Sequence, residues 1–252
     1  MQEIISQSST RIKTGMALLF AFLIMGYINT LFLTWSIFGI MMLIALSEAL
    51  NLFKIDDIKI YFYAIGIWIL AYFYPKPEDL VFLVAVIFAS NLAYTKTFNA
   101  KLFIPLMYPI VSFLFLLSLY ISFDMESLLW LVAIVAGTDI GAYFVGKKIG
   151  STQFCATSPN KTLEGVFGGI VIASIMGMVF SPEYISSALG FFISFIVATA
   201  SVFGDLFESY LKREANVKDS GDILPGHGGI LDRSDGYLFG GIILLILLRL
   251  FY

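Results

Sequence analysis

Residues 102–122 read LFIPLMYPIVSFLFLLSLYIS, and after a short break residues 127–146 read SLLWLVAIVAGTDIGAYFVG. Asp139 is the only charged residue in the two stretches. Each is about 20 residues long, the length that an α-helix needs to cross the hydrocarbon core of a bilayer. The sequence therefore predicts two membrane-spanning helices in the middle of the chain.

The rest of the chain has the same apolar character. Of its 252 residues, 59% are hydrophobic and only 13% are charged, whereas a soluble domain has about 25% charged residues. A soluble core of this length could not bury so much apolar surface. We predict an all-α, polytopic integral membrane protein with about nine transmembrane helices. The predicted spans are 14–30, 33–51, 58–74, 79–95, 102–122, 127–146, 165–181, 184–208 and 236–252.

The charged residues predict the orientation. Lys and Arg accumulate in the cytoplasmic loops of membrane proteins. With nine spans, all of the 15 Lys and Arg except Lys76 and Arg249 lie on the side of the N-terminus. We therefore predict a cytoplasmic N-terminus. The apolar composition excludes a nucleic-acid binder with a basic face, and the net charge of −3 is too small to indicate partners by itself. The single Cys and the single His exclude an internal disulfide and a paired-His zinc site.

Two long loops fall on the predicted cytoplasmic side, at 147–164 and 209–235. We predict that residues 1–136 form a lipid-embedded scaffold of transmembrane helices. Residues 137–252 would carry the remaining helices together with both loops, which we predict to be catalytic.

The loop 209–235 contains four cations and five carboxylates among several glycines. Carboxylates bind hard divalent ions such as Mg²⁺, while Lys and Arg neutralise phosphate oxygens. Asp205 and Glu208 precede it on one helix face, because residues three apart are neighbours on a helix. The pattern favours a site for phosphates and metal, although mixed charges can also simply keep a loop in water.

The loop 147–164 carries Lys147, Lys148 and Lys161 beside small residues. These lysines would suit phosphates, or would only anchor the cytoplasmic side. The glycines at four-residue spacing, such as Gly137 and Gly141, favour close packing of helices over ligand binding. Glu48 lies within a predicted span, where a charge is costly, and we interpret it as a polar lock between helices outside the site.

Several blocks together resemble a known family. They are SPNKTLEG at 158–165, SVFGDLFES at 201–209, SYLKR at 209–213, KDSG at 218–221 and LPGHGGILDRSD at 224–235. With Asp139 they cover most of residues 137–240, and they resemble the phosphatidate cytidylyltransferase (CDP-diacylglycerol synthase) family. Ser234 departs from the family pattern, which usually has an apolar residue or Thr there.

The resemblance implies transfer of a cytidylyl group from CTP to phosphatidate, with Mg²⁺ as one ion or two. It implies catalytic roles for Asp205, Asp232, Asp235, Lys212 and Arg233. It implies metal binding by Asp205, Asp232 and Asp235, with Asp219 as a further ligand. It implies substrate contacts for Lys161, Arg213, Lys218, His227, Gly228, Gly229, Asp139 and Ser201, with Ser201 and Glu208 supporting the metal ligands.

The same resemblance implies a homodimer, which the small-residue faces also favour. We expect the chain in the bacterial cytoplasmic (inner) membrane, and the charge distribution places the active site on its cytoplasmic side. Three other functions stay open at this point. One is a related CTP-using enzyme, either a lipid kinase or a cytidylyltransferase for an isoprenoid ether-lipid phosphate. The others are an ion-coupled transporter, which would spread its acids over several spans and show two similar halves, and a membrane subunit without activity.

Overall fold

The computed structural model describes the backbone of residues 2–95, 103–225 and 228–252, and the side chains of residues 14–94, 107–225 and 228–252. Within these ranges the chain forms eight α-helices and one short 3-10 helix, Pro77–Asp79. The α-helices are α1 (Gln2–Ile28), α2 (Leu31–Leu52), α3 (Ile58–Phe73), α4 (Leu80–Thr95), α5 (Phe103–Ile149), α6 (Leu163–Phe180), α7 (Ser187–Glu214) and α8 (Leu231–Phe251).

Six helical segments are long and apolar enough, by length and composition, to cross a membrane. They are Leu31–Leu52, Pro77–Tyr94, Met107–Ile149, Leu163–Phe180, Ser187–Glu214 and Leu231–Phe251. Large apolar side chains such as Phe62, Phe82 and Phe167 are exposed on the helices, as expected where lipid is the solvent. The predicted class of all-α integral membrane protein is confirmed, while the number of nine crossings and the orientation stay predictions.

Several helix ends differ from those predicted. α7 continues to Glu214 instead of ending at 208, and α8 begins at Leu231 instead of 236. The predicted loop 209–235 therefore shrinks to residues 215–230, and Lys212, Arg213 and Asp232 lie on helices. The cause is that charged residues mark where an apolar run ends, whereas a helix continues as long as its backbone hydrogen bonds do.

The long helix α5 contains residues 103–122 and 127–146 of the two stretches quoted first. Its only residue with non-helical backbone angles is Asp124, with φ 60° and ψ −175°. The side chain of Asp124 accepts a hydrogen bond from Met125 N at 2.6 Å, and its carbonyl accepts one from Ser127 Oγ at 2.7 Å. A new helical stretch thus begins after Asp124, between the two predicted spans.

The described chain divides into two compact units. The first, called the loop unit below, comprises Met1–Leu117 and Ala215–Ser234, and the second, called the helix unit, comprises Ser118–Glu214 and Asp235–Tyr252. The predicted division at residue 136 coincides with neither unit, because helix packing, unlike the order of motifs, joins segments that are far apart in sequence.

In the loop unit, α2 and α3 are joined by two tryptophans. Trp35 Nε1 donates to the carbonyl of Trp68 at 2.8 Å, and Trp68 Nε1 donates to the carbonyl of Trp35 at 3.1 Å. Gly39 makes room for the Trp68 ring, since a Cβ there would overlap it. This packing fixes the helix that carries Glu48.

In the helix unit, small residues let helices approach closely. A Cβ on Gly169 would overlap the carbonyl of Thr138 on α5, and a Cβ on Gly236 would be 2.6 Å from Ser201 Oγ on α7. Trp130 Nε1 donates to the carbonyl of Gly177 at 2.8 Å. The prediction that these spaced glycines serve helix packing is confirmed, and the packing brings the acids of α7 and α8 near one another.

Candidate active site

In the helix unit, one face of α7 carries the polar residues Ser201, Asp205, Glu208 and Lys212. Their spacing of three and four residues aligns them along the helix. Glu208 is fully buried and forms an ion pair with Lys212, one turn further on. Separating the two side chains would leave the buried carboxylate of Glu208 with an uncompensated charge. The ion pair therefore holds the Lys212 side chain against Glu208 along the helix.

Asp205 forms an ion pair with Lys161, which lies 44 residues earlier in the chain. Both side chains are 29% exposed. The other oxygen of Asp205 is 3.4 Å from Ser209 Oγ. The structure therefore brings together a residue of the predicted loop 147–164 and a residue of the predicted span 184–208, one expected as a substrate contact and the other as a metal ligand.

The segment before α6 holds Lys161 in place by hydrogen bonds. Phe154 N donates to the carbonyl of Lys161 at 2.8 Å, and the Thr162 side chain accepts from Gly165 N at 3.2 Å, which caps α6. The carboxylate of Glu164 accepts from Ser151 Oγ at 2.8 Å. The SPNKTLEG block therefore encodes a helix start with a lysine fixed beside it.

Asp235 on α8 interacts electrostatically with Asp205, Asp139 and Lys212. One of its oxygens accepts from Gly236 N at 2.7 Å. A Cβ on Gly204 of α7 would overlap the Asp235 carbonyl, so this glycine lets α8 lie against α7 at that level. The helix unit thus gathers three acids of the predicted site together with two lysines.

In the loop unit, Asp232 lies in the first turn of α8. Its Oδ2 accepts three hydrogen bonds, from Ser220 N at 2.9 Å, Ser220 Oγ at 2.8 Å and Gly229 N at 2.9 Å. Gly228 has φ +84°, and a Cβ there would be 2.7 Å from the same oxygen. Residues 220–231 are called the glycine-rich segment below. Asp232 therefore links Ser220 at one end of this segment with Gly229 near the other.

Glu48 of α2 binds the same segment. Its Oε1 accepts from Ile230 N at 2.9 Å, and its Oε2 accepts from Leu231 N at 2.8 Å and from Ser220 Oγ at 3.3 Å. These amides are among those that a helix start leaves without intrahelical partners. A carboxylate at this end of a helix is also favoured by the helix dipole.

Comparison with known proteins gives the family. The sequence profile of the cytidylyltransferase family matches residues 9–251. This chain belongs to that family. Two relatives from strains of Helicobacter pylori, each named phosphatidate cytidylyltransferase, are 40% identical to it, over 96% of this chain and 92% of the first relative, and over 98% of this chain and 94% of the second. A Bacillus subtilis protein of the same name is 49% identical over 47% of this chain and 45% of its own length.

The family resemblance inferred from the sequence blocks is thus confirmed. In this cytidylyltransferase, the predicted residues divide between the two units. Asp139, Lys161, Ser201, Asp205, Lys212, Arg213 and Asp235 lie in the helix unit, and Lys218, Asp219, Gly228, Gly229, Asp232 and Arg233 lie in the loop unit. His227 lies outside the described residues. Arg213, Lys218, Asp219 and Arg233 are exposed, and their roles stay predictions.

The residues of the helix unit suit Mg²⁺ by donor chemistry. Within the described ranges, no three His, Cys, Asp or Glu side chains form a group that could hold a metal ion by themselves. Mg²⁺, however, is usually bound by one or two carboxylates together with waters and substrate phosphates. Asp205 and Asp235, whose charges interact, are a pair of this kind.

The residue that the sequence placed outside the site is Glu48. Its interpretation as a polar lock was right in kind, but its donors are the backbone amides and the serine of the glycine-rich segment rather than another transmembrane helix face. The signal available in the sequence was a lone carboxylate in an apolar helix, which is costly unless it is paired.

Proposed function

We propose that this cytidylyltransferase transfers the cytidylyl group of CTP to phosphatidate, forming CDP-diacylglycerol and pyrophosphate. A phosphate oxygen of the lipid attacks the α-phosphorus of CTP, and the bond from that phosphorus to the oxygen bridging to the β-phosphate breaks. The attacking oxygen is already anionic near neutral pH, so no general base is required. The electron pair leaves with pyrophosphate.

The observation that carries the proposal is the partly exposed ion pair between Lys161 and Asp205, together with the electrostatic interaction of Asp205 with Asp235. The lysine ammonium group is the end of a flexible side chain. It can leave the carboxylate and bind a phosphate oxygen when substrate arrives. Catalysis of phosphoryl transfer consists largely of positioning and of compensating negative charge. Lysine and carboxylates in this arrangement provide both.

The roles of the residues follow the family resemblance. Lys161 and Lys212 compensate phosphate charge in the helix unit, Arg213, Lys218 and Arg233 contribute further positive charge, and His227 orients a phosphate or carboxylate. Asp205 and Asp235 would hold Mg²⁺, as one ion or two, with Asp232 and Asp219 as further predicted ligands. When bound, Mg²⁺ neutralises charge on the phosphates and on the leaving pyrophosphate.

The membrane arrangement belongs to the same proposal. We propose nine crossings, because the 43-residue segment Met107–Ile149 is twice the length of one span and is interrupted at Asp124. The shorter apolar helices Thr14–Ile28 and Ile58–Phe73 would complete the count. The N-terminus and the site would face the cytoplasm, where CTP is present, in the inner membrane of a bacterium, and two chains would form a homodimer.

The single cysteine offers a test of orientation. Cys155 is partly exposed in the segment between α5 and α6, which we place on the cytoplasmic side. A thiol reagent that does not cross membranes should label inside-out vesicles and leave intact spheroplasts unlabelled. Labelling of intact spheroplasts would contradict the proposed orientation.

The activity is tested in detergent with CTP, phosphatidate and Mg²⁺, by measuring pyrophosphate and CDP-diacylglycerol. We expect lipid-dependent pyrophosphate release that falls about 100-fold or more in Asp205→Asn and in Asp232→Asn. Glu126→Gln, which removes an exposed carboxylate by the same change of atoms, should keep the parent rate. Full activity in either Asp variant would remove that residue from the site.

The same assay separates the alternatives. A CTP-dependent kinase would release CDP in place of pyrophosphate. A cytidylyltransferase for an isoprenoid ether-lipid phosphate would turn over that lipid and not phosphatidate. Absence of any nucleotide turnover in the folded parent protein would contradict the proposal.

A further inference from the structure

Glu48 is a charged residue in an apolar helix, and its surroundings explain how it is tolerated. It is 6% exposed, and its helix neighbours Ala45, Leu52 and Ala49 are buried and apolar. The carboxylate accepts hydrogen bonds from Ser220, Ile230 and Leu231, which lie 172 to 183 positions further along the chain. Its contacts are therefore with the glycine-rich segment rather than with its own helix.

The contacts of Glu48 reach both ends of that segment. One end is Ser220, whose hydroxyl is 3.3 Å from Oε2, and the other is Ile230 and Leu231, whose amides are 2.9 Å and 2.8 Å from the two oxygens. The intervening residues contain the glycines and His227 of the family block. Glu48 thus contacts described residues on both sides of the glycines.

Two glycines leave the space that this carboxylate occupies. A Cβ on Gly221 would be 2.8 Å from Glu48 Oε1 and 3.0 Å from its Cδ and Cγ, and a Cβ on Gly229 would be 2.5 Å from Cδ and Oε2. Gly221 and Gly229 are therefore needed for the approach of Glu48. The described residues of the segment therefore pack closely against the Glu48 side chain.

The start of α8 depends on the same contacts. Glu48 accepts from the amide of Leu231, the first residue of α8, and Asp232 is the next residue. Asp232 in turn accepts from Ser220 and Gly229. Loss of Glu48 would leave the amides of Ile230 and Leu231, directly before Asp232, without the acceptors that the structure gives them.

We infer that Glu48 is a positioning residue for the cytidylyl transfer: by binding Ser220, Ile230 and Leu231, it sets the backbone of the glycine-rich segment and the placement of Asp232. This inference rests on the proposed function. A displacement of about 1 Å at a catalytic group can reduce a rate by about 100-fold, so a residue that touches no substrate can govern turnover.

The first test is Glu48→Gln, compared with Glu48→Asp and with Glu126→Gln as control. Glutamine keeps the shape, but whichever way its amide is turned, an NH₂ group faces Ile230 N or Leu231 N in place of an acceptor. We expect kcat per folded molecule to fall about tenfold or more, with KM for phosphatidate within about threefold of the parent. Glu48→Asp keeps both acceptors and should recover most of the loss.

Folded protein is measured in the same samples by thermal unfolding in detergent. If Glu48→Gln only lowers the unfolding temperature and kcat per folded molecule stays within twofold of the parent, Glu48 is structural and the inference is overturned. An inactive parent would instead contradict the proposed function, and the inference with it. The two failures are thereby distinguished.

The second test uses Gly221, because the three atoms nearest to a methyl group added there all belong to Glu48. Gly221→Ala should lower kcat in the parent, because the methyl group displaces the carboxylate. The same change in Glu48→Ala should cost little more, since the space is then vacant, and such non-additivity is the mark of coupled residues. Equal losses in both backgrounds would overturn the inference, and this test does not depend on how Glu48→Gln folds.

Discussion

In the loop unit, the carboxylates of Glu48 and Asp232 are bound by backbone N–H groups and a serine hydroxyl. In the helix unit, Asp205 and Glu208 are bound by the lysines 161 and 212. The first kind of donor is part of the backbone and cannot move to a ligand. The second kind is the end of a flexible side chain, which can move to a ligand. The comparison separates a structural set of acids, whose donors are fixed in the backbone, from acids whose donors are the ends of side chains.

The comparison is tested most strongly at Lys161. Lys161→Ala should lower pyrophosphate release about 100- to 1000-fold, as removal of a charge-stabilising donor does in other enzymes. Its unfolding temperature should change little, because a partly exposed ion pair contributes about 1 kcal/mol or less. Activity assays and thermal unfolding of the same preparation measure both.

Lys59→Ala is the control, since Lys59 is an exposed lysine near the start of α3 in the other unit. It should match the parent in both measurements. If Lys161→Ala unfolded the protein but left its folded fraction active, Lys161 would belong with the structural set and the comparison would be wrong.

The next largest effect is expected on stability, from Glu48→Ala. It leaves the amides of Ile230 and Leu231 without their acceptor in a buried place, while the Ser220 hydroxyl keeps Asp232. An unsatisfied buried donor costs about 1–3 kcal/mol. We expect a loss of about 3 kcal/mol in the free energy of unfolding, visible as a lower unfolding temperature. The exposed Glu126→Ala should show no such loss, and an unchanged unfolding temperature in Glu48→Ala would remove the structural half of the comparison.

The smallest effects should come from two serines that each face an acid. Ser220 Oγ is buried and 2.8 Å from Asp232 Oδ2, whereas Ser209 Oγ is 3.4 Å from Asp205 Oδ1. Ser220→Ala should cost about 1 kcal/mol of stability, the usual net value of a good hydrogen bond. Ser209→Ala should cost clearly less. Equal costs in denaturant titrations would mean that the two sets of acids are not held differently.

The apolar runs predicted the helices well, because lipid permits few other structures in which all backbone groups are hydrogen-bonded. The blocks around Lys161, Asp205 and Asp232 gave the family, since many residue types at fixed spacing rarely coincide. The helix ends were less accurate. The residues SYLKRE at 209–214 extend α7 although they are polar, because polarity marks the end of the apolar run and not the end of the hydrogen-bonded helix.

The pairing of side chains could not be derived from local patterns. Nothing near Glu48 in the sequence points to Ser220 or Leu231, and nothing near Lys161 points to Asp205. Such partners become known only when the folded chain brings distant segments together. The sequence indicates only that Glu48 needs partners, because a lone carboxylate in an apolar helix is costly.

The distance of Glu48 from its donors along the chain has a consequence for synthesis. α2 leaves the ribosome roughly 180 residues before Leu231 and its amide exist, at the usual pace of about 5–20 residues per second. For that interval the acid must be satisfied by water or by the insertion machinery. A nascent chain that stops short of α8 therefore lacks the two backbone donors that hold Glu48 in the complete protein.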